Sequence, residues 1–98
     1  MTSDPQIDPE SKLSRRARVA YRDLEEGGVL LDLESGAYHG VNSTGAAIWK
    51  LLEGEPTMRE LVERFAASVD DAPPELEEHL TRFLEEIREQ GLLTVRGR

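Results

Sequence analysis

The chain has 98 residues, 12 of them Lys or Arg and 20 Asp or Glu, giving a formal net charge of −8. That length suits one small domain and is too short for two. The lack of cysteine excludes disulfides, thiolate metal sites and a cysteine nucleophile, and the acidic balance disfavours general binding to phosphate backbones.

No apolar run is long enough to cross a membrane. The opening "MTSDPQIDPESKLS" lacks the basic-then-apolar order of a secretion signal. A soluble, cytoplasmic protein is therefore expected. The same opening is polar, carries prolines and shows no period, so residues 1–15 are expected to be a disordered N-terminal arm, with residues 16–98 as one domain.

A first strand is predicted over "RVAYRDL" (Arg18 to Leu24), with Val19 and Tyr21 on one face. "EEGG" supplies turn residues, and "VLLDL" (Val29 to Leu33) is the most apolar strand candidate, placed at the centre of a sheet. "ESG" (Glu34 to Gly36) fits a three-residue hairpin loop with Gly36 left-handed, and "AYHGV" (Ala37 to Val41) is the returning third strand.

Asn42, Ser43 and Thr44 can each cap a helix running from about Thr44 to Glu53, with Ile48, Leu51 and Leu52 as its apolar stripe and Gly54 as its stop. "TMRE" reads as a capping box opening a second helix with Met58, Leu61, Val62, Phe65 and Val69 on one face. "DDAPP" breaks the chain, and a third helix is predicted to start near Pro73 or Pro74. Leu76, Leu80, Phe83, Leu84 and Ile87 recur along it at helical spacing, with glutamates on the other side. Gly91 ends it, and Leu93 to Val95 form a short extended end. This order predicts an α+β domain: a three-stranded antiparallel sheet followed by three helices, in a winged helix-turn-helix-like arrangement.

Signs of catalysis are missing. His39 and His79, without a clear third ligand, make a poor metal site. No carboxylate stands in an apolar setting that would raise its pKa, and no phosphate loop or nucleophile elbow is present. Neither an enzyme nor a cofactor is expected. The single basic cluster, Arg15, Arg16, Arg18 and Arg22, reads as a solvated tail and edge strand, or as a minor electrostatic docking patch.

The sheet edges are more informative. The first strand is defended by Arg18, Arg22 and Asp23, whereas "AYHGV" has no lysine and no proline. An undefended edge accepts an added strand. The third helix is also wider in its apolar stripe than one contact face requires, because Phe83 lies beside the main row.

"LLDLESGAYHGVNSTGAAIWKLLEGEPTMRELVERF", with the long helix ending "EQGLL", resembles the PqqD-like family, the leader-peptide recognition domains of pathways that make ribosomal, modified peptides. The resemblance covers about Val19 to Leu93. It rests on "LLD" and "SGAY" before "NSTGAAIW" and on the glycine after "LLE". It implies a winged-helix-like, non-catalytic domain that binds a precursor leader as an extra strand on the third strand, in a cleft walled by the third helix. The leader would then pass to a modifying enzyme, either a radical SAM protein or the protease and cyclase of a lasso-peptide pathway. The implied strand contacts are Ala37, Tyr38, His39, Gly40 and Val41. The implied helix wall is Leu76, His79, Leu80, Arg82, Phe83 and Glu86. Asn42, Gly45 and Trp49 match the family pattern as cap, close packing and core. The strand segment differs from that of the branch making the redox cofactor PQQ, and His39 and Gly40 differ from the bulkier residues of many lasso-pathway members. The branch therefore stays open. Neither nucleic acid nor membrane is implied as a partner. The alternative, a winged-helix transcription factor, is opposed by the glutamates on its would-be recognition helix.

Overall fold

A computed structural model describes residues 6–69 and 74–96. Eight elements follow in order: β1 (Lys12–Arg15), β2 (Val19–Leu24), β3 (Gly27–Asp32), β4 (Tyr38–Asn42), α1 (Ser43–Leu51), α2 (Met58–Ser68), α3 (Leu76–Glu89) and β5 (Leu93–Arg96). β2, β3 and β4 form an antiparallel meander with β3 at its centre, and β1 pairs with β5 in a separate antiparallel ribbon. The fold is α+β, with a three-stranded sheet followed by three helices, and is winged-helix-like.

The helices form where their ends are satisfied. Asn42 caps α1 by accepting from the Gly45 amide at 2.8 Å. Thr57 and Glu60 make the capping box of α2, the Thr57 amide donating to Glu60 Oε1 at 2.9 Å and the Glu60 amide to Thr57 Oγ1 at 3.2 Å. At the end of α3, Gly91 takes a φ of 80°. This lets the Leu92 amide reach the Ile87 carbonyl and the Gly91 amide reach that of Arg88. The chain thereby turns back at once into β5.

The inner face of the sheet packs on α1, α2 joins α1 to α3, and α3 packs on β5. Leu30, Ile48, Trp49, Leu61, Leu80 and Leu84 lie at the centre of the core.

The predicted arm is shorter than the sequence indicated. Residues 1–5 lie outside the described residues, but Lys12–Arg15 form β1, paired with β5 from Lys12↔Arg96 to Arg15↔Leu93. Leu13 is fully buried. Its amide donates to the Pro56 carbonyl, and that of Met58 donates to Ser11. One leucine among polar residues shows no period, and its partner strand lies at the far end of the chain. Only tertiary pairing makes this segment a strand.

The glycine pair is the second difference. Gly27 and Gly28, read as turn residues, are buried members of β3. A Cβ on Gly27, whose φ is 144°, would strike the Val41 carbonyl, and one on Gly28 would strike the Tyr21 ring. The turn is confined to Glu25 and Glu26. The β3–β4 loop holds five residues, 33–37, closed by Gly36 N–H to the Asp32 carbonyl and by Asp32 N–H to the Ala37 carbonyl, each 2.8 Å. Gly36 takes the left-handed conformation expected of it. Ala37 therefore precedes the strand that it was predicted to open. The predicted break at "DDAPP" falls largely on residues 70–73, outside the described residues.

Candidate functional site

β4 is an edge strand, pairing with β3 on one side only. The bond from the Asp32 amide to the Ala37 carbonyl fixes the phase of this antiparallel ladder. Paired residues alternate between bonded and non-bonded pairs. With Leu30 opposite His39 and Gly28 opposite Val41, the backbone groups of His39 and Val41 are directed at β3. Those of Tyr38 and Gly40 are directed at the open edge. No charged residue and no proline occurs between Tyr38 and Asn42.

Side chains alternate the other way. His39 and Val41 are half-buried, while Tyr38 and Gly40 are exposed on the outer face. Across from the open edge stands α3. Between them lies a hollow of about 430 Å³, bounded by His39 to Asn42 on one side and by Phe83, Glu86, Ile87 and Gln90 of α3 on the other, with Leu92 closing it.

A second hollow of about 520 Å³ adjoins the first. Its helix α3 wall holds Leu76, His79, Leu80 and Arg82, and its opposite wall is built by Ile48 of α1 with Phe65 and Val69 near the end of α2. Phe83, Glu86 and Asn42 border both hollows. The half-buried Phe83 packs against the core and forms the partition between the two.

Gly45 sets the position of that partition. A Cβ there would lie 2.9 Å from Phe83 Cε1 and 3.2 Å from Val41 Cβ. A side chain on α1 would push on the Phe83 ring and on β4 together. Gly45 thus lets α1 approach both walls of the cleft, and the Asn42 cap holds the strand-to-helix corner in place.

The sequence-predicted residues divide accordingly. His39, Gly40 and Val41 line the first hollow, and Leu76, His79, Leu80 and Arg82 the second. Phe83 and Glu86 serve both. Leu80, at 0 % exposure, and the buried Leu76 form floor rather than rim. Ala37 and Tyr38 line neither hollow. Phe65, Val69 and Ile48 were read only as helix stripe. Their place in the second hollow depends on how α1, α2 and α3 converge, which periodicity does not report.

Arg82 and Glu86 stand exposed one turn apart and form no ion pair among the described residues. A cation and an anion are thus both available to a ligand. His39 and His79 open into different hollows, and the described residues contain no cluster of three or more metal-ligating side chains. No helix among them is long and apolar enough to cross a membrane.

The opposite edge differs in kind. On β2, Tyr21 donates its hydroxyl to Asp23 at 2.7 Å, and Lys50 of α1 reaches Asp23 at 2.9 Å while lying over the Tyr21 ring. The tyrosine hydrogen bond, then the lysine, hold the Asp23 carboxyl below its ordinary range, and the same hydrogen bond raises the tyrosine.

Comparison with known proteins places this architecture. No curated protein matches the chain. Two solved structures do. One, described as TbiB1 in complex with the TbiA(beta) leader peptide, has 30% identity and a TM-score of 0.70, covering 82% of this chain and 93% of that one. The other, lasso peptide synthetase B1 complexed with the leader peptide, has 21% identity and a TM-score of 0.68, covering 84% of this chain and 96% of that one. The second likeness shows the fold alone. The family model for coenzyme PQQ synthesis protein D matches residues 27–93, which span the sheet from β3 onward, all three helices and the start of β5. The chain belongs to the PqqD family.

Proposed function

We propose that this domain binds the leader segment of a ribosomal precursor peptide without catalysing any reaction, by adding the leader as a strand to β4 in the cleft against α3. In this reading the leader's backbone pairs with Tyr38 and Gly40. Its side chains alternate between the outer sheet face and the first hollow, and an apolar residue beyond the strand enters the second. The bound precursor is delivered to a modifying enzyme, a radical SAM protein or a leader protease and cyclase, in the cytoplasm.

The observation that carries the reading is the pairing-competent edge of β4 set against an apolar cleft. Open edges in folded proteins are usually blocked by charge, proline or a covering element, and this one has neither charge nor proline. Main-chain bonds there would supply affinity, and the hollows would supply specificity. The related structure at 30% identity, a leader-peptide complex, supports the same assignment. DNA binding finds no comparable support, because α3 exposes Glu77, Glu78, Glu86 and Glu89.

Fluorescence polarisation of labelled leaders from precursors encoded near this gene tests the proposal. Saturable binding is expected for one leader and not for its scrambled sequence. Equal binding of both, or none by folded protein, would overturn it.

A further inference from the structure

The outer face of the β2–β3–β4 sheet is turned away from the helices, and the cleft does not use its centre. The ladder registers place its side chains in rows: Ala20, Leu31 and Tyr38 in one, and Arg22, Val29 and Gly40 in the next. Leu24 continues the face at one end. At the other, the Leu33 amide donates to the Arg18 carbonyl at 2.8 Å, extending the ladder by one pair. Ala20, Arg22, Val29, Leu31 and Tyr38, with Tyr21 at the β2 edge, line a shallow apolar depression of about 540 Å³.

Two observations single this face out. The large apolar side chains most exposed among the described residues are Tyr38 at 75 %, Leu24 at 55 % and Leu33 at 51 %, and the strand alternation puts all three here. Concentration of such side chains on one face marks a contact surface, whereas isolated ones are ordinary. The second observation is charge. In a chain with 20 acids and 12 bases, the strand positions of this face carry Arg22 and no carboxylate, and Arg18 stands at the end of β2 beside Leu33. Neither arginine forms an ion pair among the described residues. The acids adjacent in sequence, Asp23 and Asp32, fall on the other face by strand alternation, Asp23 held by Tyr21 and Lys50, and Glu25, Glu26 and Glu34 sit in the turns at its two ends.

We infer that this face docks a second protein whose contact surface is apolar and carries carboxylates opposite Arg18 and Arg22. The partner is the enzyme that acts on the bound precursor, an assignment that rests on the leader-binding reading above. Guanidinium groups beside an apolar surface suit such contacts, because they bind carboxylates in a fixed two-pronged geometry. A second copy fits less well, since two chains of net charge −8 repel each other. The geometry also links the two functions. A leader strand on β4 would leave alternate side chains next to Tyr38, at the margin of this face, so enzyme and leader would meet along one line.

The test uses the full chain and the purified modifying enzyme encoded beside it, with affinity read by calorimetry. Leu33→Glu and Arg22→Glu are expected to weaken enzyme binding by about tenfold or more, with Arg22→Lys, which keeps the charge but not the two-pronged geometry, giving a smaller loss and the circular dichroism of all three unchanged. Leader polarisation, measured separately, is expected to be unaffected, since neither residue borders the cleft. Enzyme affinity that is absent in the unaltered chain, or unchanged in both Glu variants, overturns the inference. So does a sedimentation dimer of the unaltered chain that Leu33→Glu disperses, because a second copy would then own the face. Loss of leader binding in the unaltered chain strikes the leader reading alone, since docking is read without leader.

Discussion

The two edges of the three-stranded sheet are treated differently by the same chain. At β2, Tyr21, Asp23 and Lys50 form a charged, hydrogen-bonded group tied to α1. Such a group blocks an approaching strand, which would have to strip water from it. At β4, the outward backbone groups belong to Tyr38 and Gly40, with no charge between Tyr38 and Asn42. The cleft lies beside β4 and not beside β2. One edge is thus closed by side chains, and the other carries the outward backbone groups on which the proposed pairing rests.

A pair of prolines breaks the comparison most sharply. His39 directs its amide at β3, so His39→Pro removes a ladder bond and should destabilise the domain by about 3 kcal/mol or more, read as lost cooperative melting. Gly40 directs its amide outward, where an edge strand tolerates proline. Gly40→Pro should therefore leave the melting temperature nearly unchanged and weaken leader binding by about ten- to a hundredfold. Equal effects of the two prolines on folding would contradict the ladder phase.

Next in size is the contrast between floor and partition. Leu80→Ala, at a fully buried position, should cost about 3 kcal/mol of stability while the folded fraction keeps most of its affinity. Phe83→Ala should lower affinity and stability together, because the ring borders both hollows. Denaturant titration beside polarisation separates these outcomes. Gly45→Ala should cost about 1 kcal/mol, less than most overpacking because alanine favours the helix. It should also reduce affinity by displacing Phe83.

The smallest effect concerns acid. Asp23 is held low by Tyr21 and then Lys50, Asp32 chiefly by the Glu34 amide, and Glu60 chiefly by the Thr57 amide. A carboxyl with a lowered folded pKa binds fewer protons folded than unfolded, so its contribution is present above the ordinary range. It is lost as pH falls through the depressed value. Melting temperature should thus fall gradually on acidification below about pH 4. Asp23→Asn should flatten part of that decline without altering leader affinity, since Asp23 sits on the other edge.

Much of this was legible because it is local. The capping box at Thr57, the apolar row of α3 and the left-handed glycines at Gly36 and Gly91 each depend on residues a few positions apart. β1 was not legible, since its pairing with β5 spans the chain. Gly27 and Gly28 read as a turn because the backbone and ring that crowd them come from other strands. For the cleft, family resemblance pointed to the strand and the helix. It did not reveal that the α3 residues divide between two hollows on either side of Phe83, or that Tyr38 faces away from both. Those facts follow from register and helix convergence, which a single sequence leaves implicit.

Amide hydrogen exchange on the leader-bound protein tests strand addition most directly. Saturating leader should slow exchange at Tyr38 and Gly40, whose amides face the open edge, and change little at His39 and Val41, already bonded to β3. Fast exchange at Tyr38 and Gly40 with the leader bound would contradict pairing at this edge.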